Sequence, residues 1–474
     1  MTKQPLQSAE NRQAWLLPAL CLFTATFFIY RVFDIRMFYS YLGLVLLFSL
    51  HLFDRLRHDE PPRLTPVTLA SAVLVLMILL QYLRPDARRH NADLAYCIST
   101  LICIAYLLLD PARDRDVRLA EKILYCAAMI LAVYVVVFTF LPELFFRLLY
   151  PHFSEATRIY HDAFAHQGYG ICLGNFTYTD YILFLGVAVC CSCLAAKPRT
   201  SCITLISGLS LAFLLLAMVV LGRRGELLAA LLAVSLLVLA LCTRRRRRQL
   251  LAGGIILAAG MFDLMLLFLP QLKQVAILER YIVTIEKLLS GQDITTGRTT
   301  LYLIAIQAFR DHPLLGIGWD QFYSLVPPEY QTISVLPIED VHCVYLQFLC
   351  ETGIIGTVLL MTPMLYLFLT TVRLLKAAKR MDDPVILRLS SFSFLLQFFL
   401  LFLGLYDPSF QKAVFWYIYT LPLMFVNAAM VRSGWRPTGP VSRGIQWLTD
   451  RLTPLIDRLW HLLRTPWERK SQQD

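Results

Sequence analysis

One of the nine histidines stands where general-base chemistry would be expected. His342 follows Asp340 by two residues and lies just before a long apolar run. Imidazole is the usual general base near neutral pH, and a neighbouring carboxylate can orient its ring. The alternative is a histidine that caps a helix or lies at an interface. The residue types therefore make His342 a candidate base.

Three arginines indicate a second kind of chemistry. Arg223 and Arg224 separate two apolar runs, and Arg298 follows Thr295-Thr296-Gly297 at the predicted start of a helix. The planar guanidinium binds phosphate oxygens bidentately, and a helix N-terminus offers further N–H donors to an anion. Interfacial snorkelling is the alternative for the first pair, and a solvated surface position is the alternative for Arg298. Acidic groups in or beside apolar runs could pair with an arginine or orient a substrate: Asp180, Asp263 and Asp407.

The elements that position these residues are predicted to be membrane-spanning helices. The 474 residues are 57% hydrophobic and 16% charged, and the mean hydropathy is +0.59, whereas soluble domains carry ~25% charged residues. This composition excludes a soluble multidomain protein and a disordered chain. Because a helix needs ~20 mostly apolar residues to cross a bilayer, we predict an all-α polytopic membrane protein with about twelve transmembrane helices. They lie near 14–30, 37–53, 66–83, 92–109, 121–141, 176–196, 202–221, 225–242, 250–269, 352–372, 389–406 and 413–431.

The net charge of +11 is interpreted as a topology signal rather than a nucleic-acid-binding surface. Most of the 44 lysines and arginines fall in one alternating set of loops and in both tails, as is typical of cytoplasmic segments. Both termini are therefore predicted to be cytoplasmic, and the first apolar run is predicted to be a signal anchor. The run Arg244–Arg248 is interpreted as part of the same signal. The cysteines lie mostly inside predicted helices, where they act as small apolar residues, and no metal or cofactor is expected.

Residues 270–351 form the longest predicted loop, about 80 residues on the outer side. A loop of this length in a compact bundle is usually functional. Apolar residues at helical spacing predict helices over 271–290 and 298–313, and a third is predicted over 340–351. The second helix has an apolar face formed by Leu301, Ile304, Ala305 and Ala308. A smaller outer segment, 142–169, carries Arg158, His161 and His166.

The C-terminal tail predicts an amphipathic helix over 441–466. Arginines recur along it between apolar residues, which indicates a helix that lies on the cytoplasmic leaflet and is attracted to anionic lipid. Its apolar side chains are Ile445, Leu448, Leu452, Leu455, Ile456, Leu459, Leu462 and Leu463. The chain is thus divided into transmembrane helices 1–9 (1–269), the outer helical loop (270–351), transmembrane helices 10–12 (352–431) and the cytoplasmic tail (432–474).

Four stretches, in this order, resemble the O-antigen ligase family of the wider O-antigen ligase/polymerase superfamily. They are Gly222-Arg223-Arg224-Gly225 with Glu226, Gly297-Arg298 through Ala308, His312-Pro313-Leu-Leu-Gly316-Ile-Gly318, and Asp340-Val-His342-Cys-Val-Tyr345-Leu running to Glu351-Thr-Gly353-Ile-Ile-Gly356. The last is similar to the family's His-Asn-x-Tyr/Phe-Leu…Glu-x-Gly-x-x-Gly block, with Cys343 in place of Asn. Arg223 stands where the family often has a small residue, so Arg224 is the better match to its arginine. The resemblance covers about 200–430.

The resemblance implies a GT-C-like glycosyltransferase at the periplasmic face of the inner membrane of a Gram-negative bacterium, with the outer loop in the periplasm. The implied donor is a glycan on undecaprenyl pyrophosphate, the implied acceptor is lipid A-core, and no metal is required. Arg224 and Arg298, with Arg223, would bind the pyrophosphate. His342 would deprotonate the acceptor hydroxyl for an inverting attack. Supporting roles would fall to Asp340, Asp407 and Tyr345.

Other functions stay open at this point. A glycan polymerase of the same superfamily would use a second lipid-linked glycan as its acceptor, and a protein O-oligosaccharyltransferase would use a serine or threonine hydroxyl. A membrane transporter is a more distant alternative, because the sequence shows neither the inverted repeats nor the broken helices expected of one. A non-catalytic membrane scaffold would leave the outer arginines unexplained.

Overall fold

The structure is a computed structural model of the chain. It describes residues 16–26, 37–57, 61–62, 64–87, 114–165, 169–196, 200–243, 245–246, 248–251, 276–292, 298–328, 340–407 and 413–471. Within these residues the regular elements are helices and no strand occurs, as predicted. The principal α-helices are α1 (Leu16–Thr26), α2 (Met37–Arg57), α3 (Pro66–Tyr82), α4 (Asp114–Phe140), α5 (Pro142–Leu148), α6 (Glu155–Ala165), α7 (Phe176–Ala195), α8 (Ser201–Leu221), α9 (Arg224–Leu241), α10 (Ala276–Leu289), α11 (Arg298–Asp311), α12 (Val344–Met381), α13 (Pro384–Leu403), α14 (Ala413–Ser433) and α15 (Pro440–Ser471).

Six of the described helices are long and apolar enough to cross a bilayer, namely α4, α7, α8, α9, α12 and α13. α3 is also apolar but shorter. The predicted crossing near 92–109 lies outside the described residues, as does the one near 250–269 apart from its first residues. The described helices fit a membrane protein, and a total of twelve crossings stays a prediction.

α7 and α13 form the centre of the bundle. α7 packs against α4, α8 and α13, and the rings of Phe184 and Phe399 stack at 3.8 Å between the two central helices. Gly186 lets α4 approach α7, because a Cβ at this position would lie 2.4 Å from the Cβ of Ala128. Such close approach is typical of helix pairs in membranes, where apolar burial supplies little driving force. The peripheral helices α8 and α9 turn large side chains outward, including Leu205, Leu209, Leu228 and Leu236.

α12 is longer than predicted and replaces a predicted loop. The sequence predicts a crossing over 352–372 followed by a cytoplasmic loop over 373–388, but the helix continues to Met381. After a short turn, α13 begins at Pro384. The carboxylate of Asp383 accepts hydrogen bonds from N–H groups in the first turn of α13. The predicted loop is therefore wrong. Lysine and arginine indicate where the chain leaves the apolar layer, but both are good helix formers and do not end a helix.

One end of the bundle holds the α8–α9 connection, the start of α12 and the end of α13, and we call it the turn end. The amide of Val344 in α12 donates to the carbonyl oxygen of Gly404, just after α13, at 2.8 Å. The end of α3 lies here too, because Arg84 Nη1 donates to the carbonyl oxygen of Leu315 at 2.5 Å. Described segments that the sequence places on the outer side therefore lie together.

The opposite end is rich in lysine and arginine, and we call it the basic end. Lys379 in α12 donates to the carbonyl oxygens of Ala240 and Cys242, where α9 ends, at 3.4 and 3.1 Å. Arg388 in α13 pairs with Glu121 in α4 at 3.1 Å. The helix packing is thus consistent with the alternation of loops predicted from charge. The side of the membrane that each end faces stays a prediction.

Two further segments lie at opposite ends of the bundle. α15 belongs to the basic end, since Arg373 Nη1 in α12 donates to the carbonyl oxygen of Thr438, just before α15, at 3.0 Å. The helix extends beyond the predicted 441–466 and packs against α2 and α3. The smaller outer segment, predicted at 142–169, folds as α5 and α6 around the buried ring of Phe145.

Candidate functional site

The turn at residues 404–407, which follows α13, is the point where the predicted site segments meet. The amide of Val344 donates to the carbonyl oxygen of Gly404 at 2.8 Å. The hydroxyl of the next residue, Tyr345, donates to the carbonyl oxygen of Leu401 at 2.5 Å. These two bonds fix the start of α12, and the segment just before it, against the 404–407 turn.

His342 lies in the segment that these bonds fix. Its backbone is in the left-handed region, with φ of 60°, which is sterically costly for a residue other than glycine and is enriched at functional sites. The flanking Val341 and Cys343 are buried, whereas His342 and Asp340 are half-buried. The left-handed residue also corrects a predicted boundary: α12 starts at Val344 and not near 340, because a helix cannot propagate through this conformation.

Arg298 reaches the same turn from the start of α11. Its Nη1 donates to the carbonyl oxygen of Tyr406 at 2.8 Å. α11 is held in place by the apolar face that the sequence predicts, and this face packs on the residues that flank His342. The packed residues are Leu301, Ile304, Ala305 and Ala308 from α11, with Phe322, Val341 and Cys343. Arg298 and the His342 segment are therefore parts of one packed unit.

Arg223 joins the 404–407 turn to α7 and α9 through buried carboxylates. Its Nε donates to Glu226 Oε1 at 2.6 Å, and its Nη2 contacts the same oxygen. Nη2 also lies 3.4 Å from Asp407 Oδ2 and 3.3 Å from Thr177 Oγ1. Asp180 Oδ2 is 3.9 Å from Nε. We call Asp180, Glu226 and Asp407 the acidic cluster.

The acidic cluster is almost completely removed from solvent. The exposed fractions are 0% for Asp180, 2% for Glu226 and 5% for Asp407, and the Thr177 hydroxyl donates to Asp407 Oδ2 at 3.1 Å. Burial alone lowers the pKa of Arg223, but the carboxylates, Glu226 first, outweigh burial and raise this pKa well above its ordinary value. Loss of the guanidinium would leave buried negative charge without compensation. Arg223 is therefore the electrostatic centre of the acidic cluster.

Gly225 and Tyr406 pack the turn directly against α9. A Cβ at position 225 would lie 2.4 Å from the Tyr406 ring, so a residue without a side chain is required for this approach. Burial, and next the negative charge of Glu226, raise the pKa of the Tyr406 hydroxyl far above its ordinary value. The phenol therefore stays protonated. The glycine that follows Arg224 in the sequence motif thus has a packing role.

Residues 312–318 thread into a break in α12 at Gly353, where φ is 63°. Four backbone hydrogen bonds join the two segments: Ile317 N–H to Cys350 O at 3.0 Å, Gly318 N–H to Glu351 O at 3.0 Å, Ile354 N–H to Pro313 O at 2.9 Å and Ile355 N–H to Leu314 O at 3.3 Å. A Cβ at Gly316 or Gly353 would lie 2.3 Å from backbone atoms of the other segment. Glycines from two separate sequence motifs therefore allow the two segments to pack backbone against backbone, and we call this contact the interlock.

Glu351 is a buried carboxylate that holds the loop after this interlock. It accepts hydrogen bonds from the amides of Asp320 and Phe322 at 3.0 and 3.3 Å, and from the side chain of Gln347 at 3.2 Å. These bonds satisfy loop amides that would otherwise be buried without partners. The glutamate of the motif thus has a structural explanation.

Residues 209–361 match the family model described as O-antigen ligase. Over these residues the chain is similar to the O-antigen ligase/polymerase superfamily. The match runs from α8 past the break in α12, so the matched residues include Arg223, Arg224, Arg298 and His342. No curated protein matches the chain significantly. The 404–407 turn lies beyond the matched residues, yet Arg223, Arg298 and the start of α12 all contact it.

Sequence reasoning missed two partners of Arg223, namely Glu226 and Thr177. Glu226 follows Arg223 by three residues, a spacing that places side chains together on a helix and could have indicated the ion pair. Thr177 gave no signal, since its contacts are with residues distant in the sequence. Asp180 and Asp407 both lie beside Arg223, the kind of arginine pairing that the sequence suggested.

The remaining sequence candidates lie apart from the turn or outside the described residues. His161 in α6 is buried against the rings of Phe145 and Phe153, with centroid separations of 5.2 and 5.6 Å. Burial lowers its pKa to about 4, although Asp162 opposes the shift, so the imidazole is neutral at physiological pH. Arg158 lies on the same helix. Asp263, His166 and Thr295-Thr296-Gly297 fall outside the described residues.

Proposed function

We propose that this protein is an O-antigen ligase, a glycosyltransferase that moves O-antigen polysaccharide from undecaprenyl pyrophosphate to lipid A-core in lipopolysaccharide synthesis. The proposed setting is the periplasmic face of a Gram-negative inner membrane, with both termini in the cytoplasm. One observation supports this best: Arg298, Arg223 and the segment carrying His342 all contact the 404–407 turn. Residue types suited to phosphate binding and to base catalysis thus lie together at one end of an apolar bundle.

Arg224 and Arg298 are the residues proposed to bind the pyrophosphate of the donor. Arg224 opens α9 and Arg298 opens α11, and a helix N-terminus adds N–H donors and the positive end of its dipole to the arginine charge. The bond from Arg298 to Tyr406 uses part of its donor set. Because Arg223 is engaged with the acidic cluster, we assign it to supporting the site rather than to direct phosphate contact.

His342 is proposed to be the general base. Its imidazole takes the proton of an acceptor sugar hydroxyl, and the hydroxyl oxygen attacks the anomeric carbon from the face opposite the pyrophosphate. The bond from that carbon to the pyrophosphate oxygen breaks, and undecaprenyl pyrophosphate leaves with the electron pair. Inversion of configuration follows. Arg224 and Arg298 stabilise the charge that develops on the leaving group, so the proposal includes no metal step.

Deleting the gene and examining lipopolysaccharide by gel electrophoresis tests this function. For a ligase, the O-antigen ladder disappears and full-length glycan accumulates on its lipid carrier. For a polymerase, long chains disappear while lipid A-core capped with a single unit remains. Complementation with the wild-type chain or with the exposed-site control His152→Ala should restore the ladder, and His342→Ala should not. A normal ladder in the deletion strain would overturn the proposal.

A further inference from the structure

A single guanidinium ties three separate parts of the turn end together. Asp180 comes from α7, Glu226 from α9 and Asp407 from the 404–407 turn, and all three carboxylates surround Arg223. Among them, Glu226 makes the closest contacts, through both Nε and Nη2. The rotamer of Arg223 is therefore set chiefly by Glu226, and the position of Asp407 follows from it.

We infer that Glu226 and Asp180 are positioning residues for donor binding, acting through Arg223 on the 404–407 turn. The inference rests on the proposed function. Glu226 orients Arg223 through hydrogen bonds, and Asp180 attracts it by charge at 3.9 Å. Arg223 holds Asp407, and the neighbouring carbonyl of Tyr406 accepts from Arg298 at 2.8 Å. A shift of the turn would therefore move the arginine that is proposed to bind pyrophosphate.

The charge of Asp407 gives a second reason for this arrangement. Its carboxylate follows directly after the residue that holds Arg298, so without compensation it would repel an anionic donor. Arg223 Nη2, at 3.4 Å, supplies the compensating charge, and electrostatic interactions are strong where water is excluded. Loss of the Glu226 contact would release Arg223. The 404–407 turn would then lose a contact that positions it, and the negative charge of Asp407 would no longer be compensated.

Transfer kinetics in membrane vesicles containing the full chain test the inference. Initial rates are measured against the concentration of the lipid-linked donor and, separately, of lipid A-core. Glu226→Ala is expected to raise the donor KM by about tenfold, as expected for one charge-assisted hydrogen bond, while the acceptor KM stays unchanged. Glu226→Gln keeps an oxygen that accepts from Arg223 and should recover most of the loss. Glu143→Ala removes an exposed carboxylate at the same end and serves as the matched control.

The outcomes separate positioning from folding. If Glu226→Ala lowers only the maximal rate, in proportion to the folded protein recovered by size-exclusion chromatography, the role is purely structural and the inference fails. If Glu226→Ala does not fold, Asp180→Asn must give the rise in donor KM instead. An unchanged donor KM in Asp180→Asn would also overturn the inference. Wild-type vesicles without any transfer would overturn the proposed function instead.

A second inference comes from α15, whose apolar face is uncovered at the basic end. Trp447, Leu459 and Leu462 have exposed fractions of 59%, 60% and 68%, whereas the buried side chains in the described part of the helix are Ser442, Thr449 and Trp460. The helix therefore contacts the bundle through one face, to which Ile445 also contributes, and turns most of its leucines away from it. This is the reverse of what a soluble helix does with its apolar face.

The charges of α15 show why these leucines cannot belong to a crossing helix. Asp450, Arg451, Asp457 and Arg458 interrupt every apolar stretch, and a charged side chain at the bilayer centre is costly. At ~100° per residue, Leu448, Leu455, Leu459 and Leu462 form one stripe. Arg451 and Arg458 lie along one edge of this stripe, and Arg443 lies further around the helix. An apolar stripe beside an arginine stripe is the pattern of a helix that lies flat on a membrane surface.

The geometry points to anionic phospholipid, in the leaflet at the basic end, as the partner of α15. Arginines outnumber acidic residues between 440 and 464, and Arg373 adds positive charge where the helix meets the bundle. Each basic residue near an anionic surface contributes about 1 kcal/mol of attraction. The leucine stripe enters the interface while the arginines reach the headgroups.

A fluorescent noncanonical amino acid placed at Leu459 of the full-length protein tests this partner. A control probe at Asp450 lies nine residues away, about half a turn around the helix. Nanodiscs are made of phosphatidylcholine alone or with added phosphatidylglycerol. With phosphatidylglycerol, bromine-labelled acyl chains should quench the probe at 459 and aqueous iodide should not, whereas iodide should quench the probe at 450. Arg443→Gln combined with Arg451→Gln and Arg458→Gln should weaken the shielding at 459 several-fold.

Three results would overturn this assignment. Equal iodide quenching at 459 and 450 would show that the face is in water. Shielding from iodide without quenching by brominated lipid would show that a protein covers the face. Identical shielding with and without phosphatidylglycerol, unaffected by the arginine substitutions, would show that anionic lipid is not what binds it.

Discussion

Arginine has different surroundings at the two ends of this bundle. At the turn end, Arg223 is enclosed by buried carboxylates, and Arg298 donates to a backbone carbonyl beside them. At the basic end, Arg380 in α12 and Arg443 in α15 are exposed, and Arg388 forms one ion pair with the buried Glu121 at 3.1 Å. A count of charges along the sequence treats these residues as equivalent. Their interaction energies differ, however, because electrostatic interactions become stronger where water is excluded. Removing a buried charged residue at the turn end should therefore have a larger effect than removing an exposed one at the basic end.

The largest effect is expected for the proposed base. His342→Ala should lower the rate of transfer by ~10²–10⁴-fold, the range typical of a positioned general base. Donor binding should survive, because the proposed pyrophosphate contacts are arginines on other helices. Transfer is measured in vesicles, and donor binding is measured by retention of labelled lipid-linked glycan. Full transfer by His342→Ala would show that His342 is not the general base.

The next effect concerns stability and compares two adjacent residues. Arg223→Ala leaves the acidic cluster without its guanidinium, and removal of one member of a buried ion pair costs ~3–5 kcal/mol. Arg224→Ala, one residue further on, should be destabilised less than Arg223→Ala, because Arg223 is the residue that the acidic cluster surrounds, and should lose donor affinity. Thermal unfolding in detergent, followed by loss of the monodisperse peak, measures the first effect. Similar unfolding of both variants would mean that Arg223 is not the centre of the cluster.

Arg298 is expected to show an intermediate effect in binding. Arg298→Ala removes its bond to Tyr406 and the proposed pyrophosphate contact, and hydrogen bonds to charged groups contribute ~1.5–3 kcal/mol. Donor affinity should fall by about tenfold to a hundredfold. Arg298→Lys keeps the charge but loses the planar fork, so it should recover part of the affinity. A variant with unchanged donor affinity would place the pyrophosphate elsewhere.

Helix periodicity and local motifs predicted much of this architecture, because both depend on neighbours in the sequence. The apolar face of α11 follows from the spacing of Leu301, Ala305 and Ala308, and these residues are buried as predicted. The predicted loop over 373–388 is wrong because charge does not determine where a helix begins or ends. Lysine and arginine indicate where the chain meets water, whereas helix boundaries depend on capping residues such as Asp383 at the start of α13.

The geometry of the candidate site was less predictable, because its contacts join residues that are far apart in the chain. Nothing local indicates that the amide of Val344 bonds to Gly404 or that Arg298 bonds to Tyr406. The motifs nominated Arg298 and His342 separately, and the turn that unites them carries no motif of its own. Long-range packing therefore decides which of the nominated residues meet.

The smallest effect is expected at the basic end, where it provides the reference for the others. Lys379 lies at an exposed position and donates to carbonyl oxygens at the end of α9. A cation at an exposed helix C-terminus contributes only ~0.3–1 kcal/mol, so Lys379→Ala should shift the unfolding midpoint slightly and leave transfer unchanged. Added salt should reduce the difference from wild type, since exposed charges are screened. If Lys379→Ala instead destabilises the protein as much as Arg223→Ala, then burial is not what separates the two ends, and the comparison on which these predictions depend is wrong.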